Sequence, residues 1–388
     1  MISCPDHRTD VIVIGAGIAG LSLAAMLSRE RQVIVLDRED SPAYHSTGRS
    51  AAFFFGSFGG AGVMPLNAAS YGYFREGVTR YHDRMIADPT RGALYFGCEG
   101  MEPPQEVGLG PFETLSPNEV ASLAPRIRLK WRAQGWYDPT AADLDVAHLV
   151  QGYLRLMKQN RVVTHFRREV LKLDSDSQYW TVTCRNAVYQ APVVVNAAGA
   201  WADHVAGLAG AKAIGIQPMR RTMIALKALP EEICDPAPIT IALDGSLYFK
   251  QVGQQLWVTP HDEIPSPPCD VQAETIDIAR GIARLEELTD WTISSPQRCW
   301  AGLRSFAPDR LPVYGFDPKQ PGFFWCAGQG GFGIQTAPAA ALLCTALIAN
   351  QPLPPNLSGV DPLRYSPTRF HSRPTPEGHK EFEYGSSL

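Results

Sequence analysis

The chain has no run of 18 or more apolar residues, so no segment reads as a membrane span. It contains no CxxC pair and no HExxH. Its nine histidines form no pair at helical spacing beside a carboxylate, so no metal site is expected. Charged residues make up only 19%, and the net charge of −4 comes with no basic stripe, which argues against nucleic acid as a partner. Met1 to Asp10 lacks the apolar core of a signal peptide, so the expected location is cytoplasmic. The eight cysteines are scattered and read as free, mostly buried thiols. What the chain does have is 388 residues, 45% of them hydrophobic, which supports two or three domains or one large fold with an insert. Its 34 glycines and 32 prolines show no triplet period, which excludes a collagen-like or low-complexity chain.

One motif near the start is specific. Val11-Ile12-Val13-Ile14 is a short β-branched run that reads as a strand buried on both faces. Gly15-Ala16-Gly17-Ile18-Ala19-Gly20 follows, then a helical stretch from Leu21 to Arg29, then a second apolar strand, Val33–Leu36, ending in Asp37. The order strand, GxGxxG, helix, strand, carboxylate predicts a dinucleotide site. Gly15 permits the tight turn, Gly17 lets a pyrophosphate approach the backbone, and Gly20 lets helix and strand pack closely. The phosphates would sit at the helix N-terminus, where free N–H groups and the helix dipole favour anions. Asp37, 17 residues past Gly20, is placed to bond ribose hydroxyls. The next stretch, Tyr44 to Ala52, is rich in small and hydroxyl residues and can run along a long cofactor. It also reads as a helix start capped by Ser46 or Thr47. A third βα unit, expected of a nicotinamide enzyme, is not visible there.

Further along, four phenylalanines sit in the glycine-rich stretch 53–60, and Asn67 to Tyr81 predicts a helix. Residues 88–140 carry seven prolines and read as irregular, and Thr140 to Gln159 reads as a helix with a polar start at Asp143 and Asp145. Val162–Leu173, Trp180–Tyr189 and the apolar run before Asn196 read as strands, and residues 215–260 as antiparallel strands. Ile276–Leu288 predicts a helix. Phe323–Gly328 is a second buried strand followed by a glycine-rich loop, with a helix expected from Ala339 to Asn350. That unit is another place to hold a cofactor at a helix N-terminus.

Seven stretches together carry a family pattern: VIVIGAGIAGLSLA, YHSTGRSAA, DPTAADLDVAHLVQGYLR, VVVNAAGAWAD, IQPMRRT, WAGLRSFAPD and FFWCAGQGGFGIQT. With them the chain resembles the D-amino acid oxidase-like FAD oxidoreductases, which include the glycine and sarcosine oxidases, and most closely the D-arginine dehydrogenase branch. The resemblance implies an α/β fold: a Rossmann-like FAD-binding domain (1–88, 141–214 and 299–364) interleaved with a substrate domain (89–140 and 215–298) on a mixed or antiparallel sheet with helices. Residues 365–388 would be a flexible tail. It implies FAD, held non-covalently because Gly302 falls at the cysteine that tethers flavin in sarcosine oxidases.

For FAD, the resemblance and the motifs together indicate Gly15, Gly17, Ile18, Ala19, Gly20, Asp37, Arg38, Ser46, Thr47, Arg49, Ser50, Ala51, Ala52, Val170, Ala198, Gly199, Trp201, Arg304, Gly330, Gly331, Phe332, Gly333, Ile334, Gln335 and Thr336. It also implies a carboxylate clamp of Arg221, Arg304 and Tyr248, in which Arg offers a bidentate fork and the Tyr hydroxyl a third donor. Arg220, adjacent to Arg221, is the competing assignment. The expected substrate wall is Phe53, Phe55, Phe58, Ile239 and Ile241. Phe53 and Phe58 stand where D-arginine dehydrogenase keeps a His and a Tyr, and no acid pairs a guanidinium near Ala93. The implied substrate is therefore an apolar, aromatic or N-substituted amino acid, D-configured. The implied reaction is hydride transfer from its Cα to flavin N5, with oxygen or a quinone as electron acceptor. The alternatives are an enzyme acting on a specialised amine intermediate, a flavin monooxygenase, or a FAD-binding subunit of a larger complex.

Overall fold

Val11–Ile14 and Val33–Leu36 contain no polar side chain, and every residue of both strands is buried. They form the centre of a six-stranded sheet in a computed structural model that describes residues 6–75, 86–88, 91–102, 104, 109–176, 178–227 and 237–370. The order is Val163–His165, Val33–Leu36, Val11–Ile14, Val193–Asn196, Phe323–Ala327, Val313–Phe316. All neighbours are parallel except the last pair, which is antiparallel. Strand alternation divides the core. Val11, Val13, Val33 and Val35 meet the helices Ile18–Leu27, Val146–Gln159 and Gly333–Ala349. Ile12, Ile14, Ile34 and Leu36 face a four-stranded sheet that contributes Trp180, Val182 and Tyr189. The helix Ile18–Leu27 is buried at every position but Ala19, as expected for a helix that is apolar all round.

The second sheet has ten strands and runs from Gln329–Gly330 through Arg298–Phe306, Gln217–Lys227, Gln255–Thr259, Tyr248–Val252 and Ile239–Ala242 to Ala93–Gly97, Gln134–Asp138 and Glu113–Leu115, with Ile264–Pro265 joining at the side. One face packs on the helix Thr275–Leu288 through Ile224, Val258, Leu285 and Leu288. The other carries Phe55, Tyr95, Met223, Ile239, Ile241 and Tyr248. A small three-stranded sheet, Phe53–Phe54 with Ala142–Leu144 and Ala87–Asp88, joins the aromatic stretch to the rest.

Several expectations change. Residues 88–140 are not irregular: they hold three strands of the ten-stranded sheet and the helix Pro117–Leu123, whose Ser116 and Glu119 form a capping box. The helix predicted from Thr140 is preceded by the strand Ala142–Leu144, because Asp145 caps it by accepting from the His148 amide at 2.9 Å. The strands of 215–260 pair antiparallel with one another, as expected, while the outermost of them, Ile239–Ala242, runs parallel to Ala93–Gly97 from outside that stretch. Arg298–Phe306 pairs along nine residues with Gln217–Lys227 and belongs to the larger sheet, so the first sheet resumes only at Val313. The last helix begins at Gly333 and accommodates Pro338 in its interior. Tyr365 is no tail residue. It is fully buried and donates to the Gly62 carbonyl at 2.9 Å. Part of the predicted helix 67–81 and most of 365–388 lie outside the described residues.

Candidate active site

The two sheets meet over a cavity of about 690 Å³. It is lined by Gly15, Gly17, Ile18, Ala19, Asp37 and Arg38, with Trp201 stacked beneath Arg38, by Ser46, Thr47, Arg49, Ser50, Ala51, Val170, Ala198 and Gly199, and by Arg221, Tyr248, Arg304, Gly330, Gly331, Gly333 and Ile334. The dinucleotide loop and the clamp thus open into one space, within the size range of ligand clefts.

At the dinucleotide loop the backbone is held tightly. Gly15 has φ +111, and a Cβ there would lie 2.4 Å from the Ala197 carbonyl oxygen. A Cβ on Gly20 would meet the Gly15 oxygen at 1.9 Å, the close helix-to-turn packing expected of it. The side chains of this region serve the protein first. Asp37 accepts from the Ala16 amide at 2.5 Å and the Glu39 amide at 2.8 Å. A carboxylate has lone pairs beyond these two bonds, so it can still take ribose hydroxyls. Thr47 accepts from the Ile18 amide at 3.0 Å and so caps the first helix rather than its own 3₁₀ turn, Ser46–Arg49. The Ala19 and Gly20 amides are then left as first-turn donors for an anion.

Arg49 lines the cavity, but its guanidinium donates to the Val271 and Ala301 carbonyls and pairs with Asp270. Ser46 donates to the Leu303 carbonyl at 2.5 Å. This segment therefore joins the two sheets as well as edging the cavity.

At the clamp, adjacent arginines on one strand separate. Arg220 turns to Glu274 and Asp277, two carboxylates that compensate its charge and leave only its Nε without a hydrogen-bond partner among the described residues. Arg221 lines the cavity. Its Nε donates to the Asp262 carbonyl at 2.6 Å and one terminal nitrogen lies 3.3 Å from Glu263, while the buried Nη1 has no hydrogen-bond partner among the described residues. Burial, and then the neighbouring charge of Arg304, push its pKa down to about 9. A buried guanidinium with an unpartnered donor favours an anionic ligand. Arg304 lies between the Phe58 ring, 6.0 Å from its Cζ, and Gly331, where a Cβ would come within 2.9 Å of its Nη1. Tyr248 is held edge-on by Phe53 at 5.1 Å and His261 at 5.6 Å. Burial drives His261 well below the usual histidine range, so it is neutral, and its Nδ1 donates to the Gly245 carbonyl at 2.7 Å.

Other predicted residues stand behind the lining. Phe53, Phe55, Phe58, Ile239 and Ile241 form an apolar wall beside the clamp, with Phe53 and Phe55 edge-on at 4.8 Å. Phe332 packs on Phe58 and Phe306. Gln335 and Thr336 are structural: Gln335 bonds the Phe55 backbone and Asn67, and Thr336 donates to the Phe332 carbonyl. Ala52, at φ +47, donates its amide to Ser50.

Sequence reasoning missed Glu39, His45, Arg168, His204 and Ser305, which also line the cavity. The adjacent Asp262 and Glu263, which meet Arg221, lie in no motif that would mark them. Gly302 lines the cavity, whereas Cys299 is three residues away on the other face of its strand, packed against the core of the large sheet. No described cysteine lines the cavity. No group of three His, Cys, Asp or Glu able to hold a metal occurs among the described residues, and no helix there is long and apolar enough to cross a membrane.

Residues 10–347 match the family described as FAD dependent oxidoreductase. The chain belongs to that family. FAD is its cofactor, and the glycine cradle and the acidic end of the second strand fit it. Among known proteins the chain is similar to the glycine oxidase of Geobacillus kaustophilus, 22% identical over 370 residues and covering 88% of this chain and 93% of that protein. It is also 27% identical to the bifunctional tRNA 5-methylaminomethyl-2-thiouridine biosynthesis protein MnmC of Verminephrobacter eiseniae, covering 91% of this chain but only 62% of that longer protein. Among solved structures, L-proline dehydrogenase from P. horikoshii superposes with a TM-score of 0.78 at 21% identity, over 95% of this chain and 99% of that one.

Proposed function

We propose that the protein oxidises the Cα–N bond of an amino acid, giving an imine that hydrolyses to a keto acid and ammonia, or to the keto and amine groups where the nitrogen is substituted. The observation that carries this reading is the buried, incompletely partnered Arg221 beside Arg304 and Tyr248, in the same cavity as the dinucleotide loop. Bound FAD supplies the hydride acceptor for the substrate Cα–H. Arg221 and Arg304 dock the carboxylate and Tyr248 adds a third donor, which fixes the orientation of the Cα. Phe53, Phe55 and Phe58 exclude water beside it. The first-turn amides of the helix Gly333–Ala349, whose start lines the cavity, present positive partial charge where negative charge develops. The relatives' names, a glycine oxidase and an L-proline dehydrogenase, support an amino-acid amine donor.

The apolar cluster beside the clamp favours an apolar or aromatic side chain or an N-substituted amino acid, and the family resemblance favours the D-configuration. The acid directly across from Ala93, Asp138, does not line the cavity and holds the Thr140 amide and hydroxyl on its Oδ1, so it is not placed to meet a substrate guanidinium. FAD is held without a covalent bond, and acid precipitation should release it into the supernatant. The test is anaerobic bleaching of the flavin by D-Phe, D-Leu, D-Pro, glycine, L-Pro and D-Arg, followed by admission of air to distinguish an oxidase from a dehydrogenase. Fastest bleaching by D-Arg would overturn the apolar assignment, and no bleaching by any amino acid would overturn the reaction class.

A further inference from the structure

Glu263 occupies a position that the clamp alone does not explain. Its Oε1 lies 3.3 Å from Arg221 and 3.9 Å from Nη1 of Arg304, and its Oε2 lies 2.7 Å from Arg310. One carboxylate therefore bridges three guanidiniums. Arg221 and Arg304 line the cavity, whereas Arg310 is half-exposed and packs flat on Phe306, 3.8 Å from its ring centre. Asp262 is the only other acid of the cluster that these contacts include. Its carboxylate accepts from the Thr222 amide and hydroxyl at 2.8 and 2.9 Å and lies 3.9 Å from Arg221 Nε. His261, beside them, is neutral. Among these contacts three cations meet two anions, an excess of one positive charge.

We propose that Glu263 sets the charge the substrate site accepts. By bridging Arg221, Arg304 and Arg310 it holds the cluster at a single net positive charge, matched to one carboxylate, and selects against ligands that carry two. This inference rests on the clamp of the proposed function. The first carboxylate to dock neutralises the cluster. A second would lie uncompensated beside the Phe53 and Phe58 rings, with the Glu263 charge behind the arginines repelling it. Glu263 does not line the cavity and acts through the two arginines, so it is a positioning and charge-setting residue.

The test uses FAD-loaded protein and reads the perturbation of the flavin absorption spectrum during titration with propionate and with malonate, which are similar in size and differ by one charge. The wild type should bind propionate more tightly than malonate. Glu263→Gln raises the net charge by one. It should tighten propionate about tenfold and malonate roughly a hundredfold, because a dianion feels the added charge twice. Glu263→Asp keeps the charge and should keep the wild-type ratio. The double variant Glu263→Gln with Arg310→Ala restores the net charge and should return the ratio toward wild type. A purely structural role would instead weaken both ligands in Glu263→Gln, with no recovery in the double variant. An unchanged malonate-to-propionate ratio in Glu263→Gln, with binding intact, overturns this inference alone. Absence of any propionate binding to the wild type overturns the carboxylate clamp as well.

Discussion

The protein uses a strand, a glycine-rich turn and a helix twice, and the two copies do different work. In the first, residues 11–27, the turn's own amides are locked in hydrogen bonds, one to a backbone carbonyl and two to side chains. The Gly15 amide donates to the Leu36 carbonyl at 2.8 Å, Ala16 to Asp37 and Ile18 to Thr47. In the second, residues 323–349, the turn is shaped around a side chain: Gly331 leaves the space that the Arg304 guanidinium fills, and the Gln329–Gly330 bridge pairs with the end of the Arg298–Phe306 strand. On the proposed function, the first turn is a cradle for the cofactor, built into the parallel sheet, and the second links the cavity to the Arg221, Arg304 and Tyr248 group on the other sheet. A similar local sequence serves either purpose, and the neighbouring strand decides which.

The largest test of this difference is Gly15→Ala. The positive φ and the Ala197 carbonyl leave no room for a methyl group, so the fold should lose upwards of about 3 kcal/mol and the protein should purify with little flavin, read as the flavin-to-protein absorbance ratio. Normal loading would break the distinction between the turns. Gly331→Ala should load FAD normally, because the atom it meets is the end of a flexible side chain, and should raise KM for a carboxylate substrate about tenfold by displacing Arg304. Lost flavin in this variant would mean that the second turn is a cradle too.

A pH titration sharpens the clamp end. Arg221 must be protonated to hold an anion, and its pKa is pushed down to about 9. Propionate, ionised throughout, should bind with constant affinity at neutral pH and weaken as the pH rises through about 9. Flat affinity to pH 10.5 or roughly thereabouts would show Arg221 protonated well above that value, as an unperturbed guanidinium is. The smallest effect belongs to the first turn's cap. Thr47→Ala should cost about 1 kcal/mol and lower Tm by about 1 °C, while Thr47→Ser keeps the acceptor and should lie close to wild type.

Some of this was legible before any coordinates. Val11 to Asp37 carries its own punctuation: a β-branched run, three glycines at fixed spacing, an apolar helix and an acid. Those signals are local, so they survive reading in one dimension. The Ser116–Glu119 capping box was equally local but lay among prolines that suggested a loop. Arg220 and Arg221 could not be told apart, because alternation along a strand says only that they face opposite sides, not which side holds the cavity. The role of Arg49 was hidden for a different reason: its partners, Val271 and Ala301, are more than 200 residues away.

By itself the sequence determined the dinucleotide turn and the buried parallel strands, since each follows from short-range spacing and side-chain chemistry, whereas Arg221, Arg304 and Tyr248 were singled out only through the family resemblance. Only the tertiary structure decided which arginine enters the cavity, that Thr47 caps a helix 29 residues earlier in the chain, and that Glu263 bridges three guanidiniums. Those facts depend on two sheets meeting over one cleft. The contacts they create join residues whose separation along the chain carries no signal of their proximity.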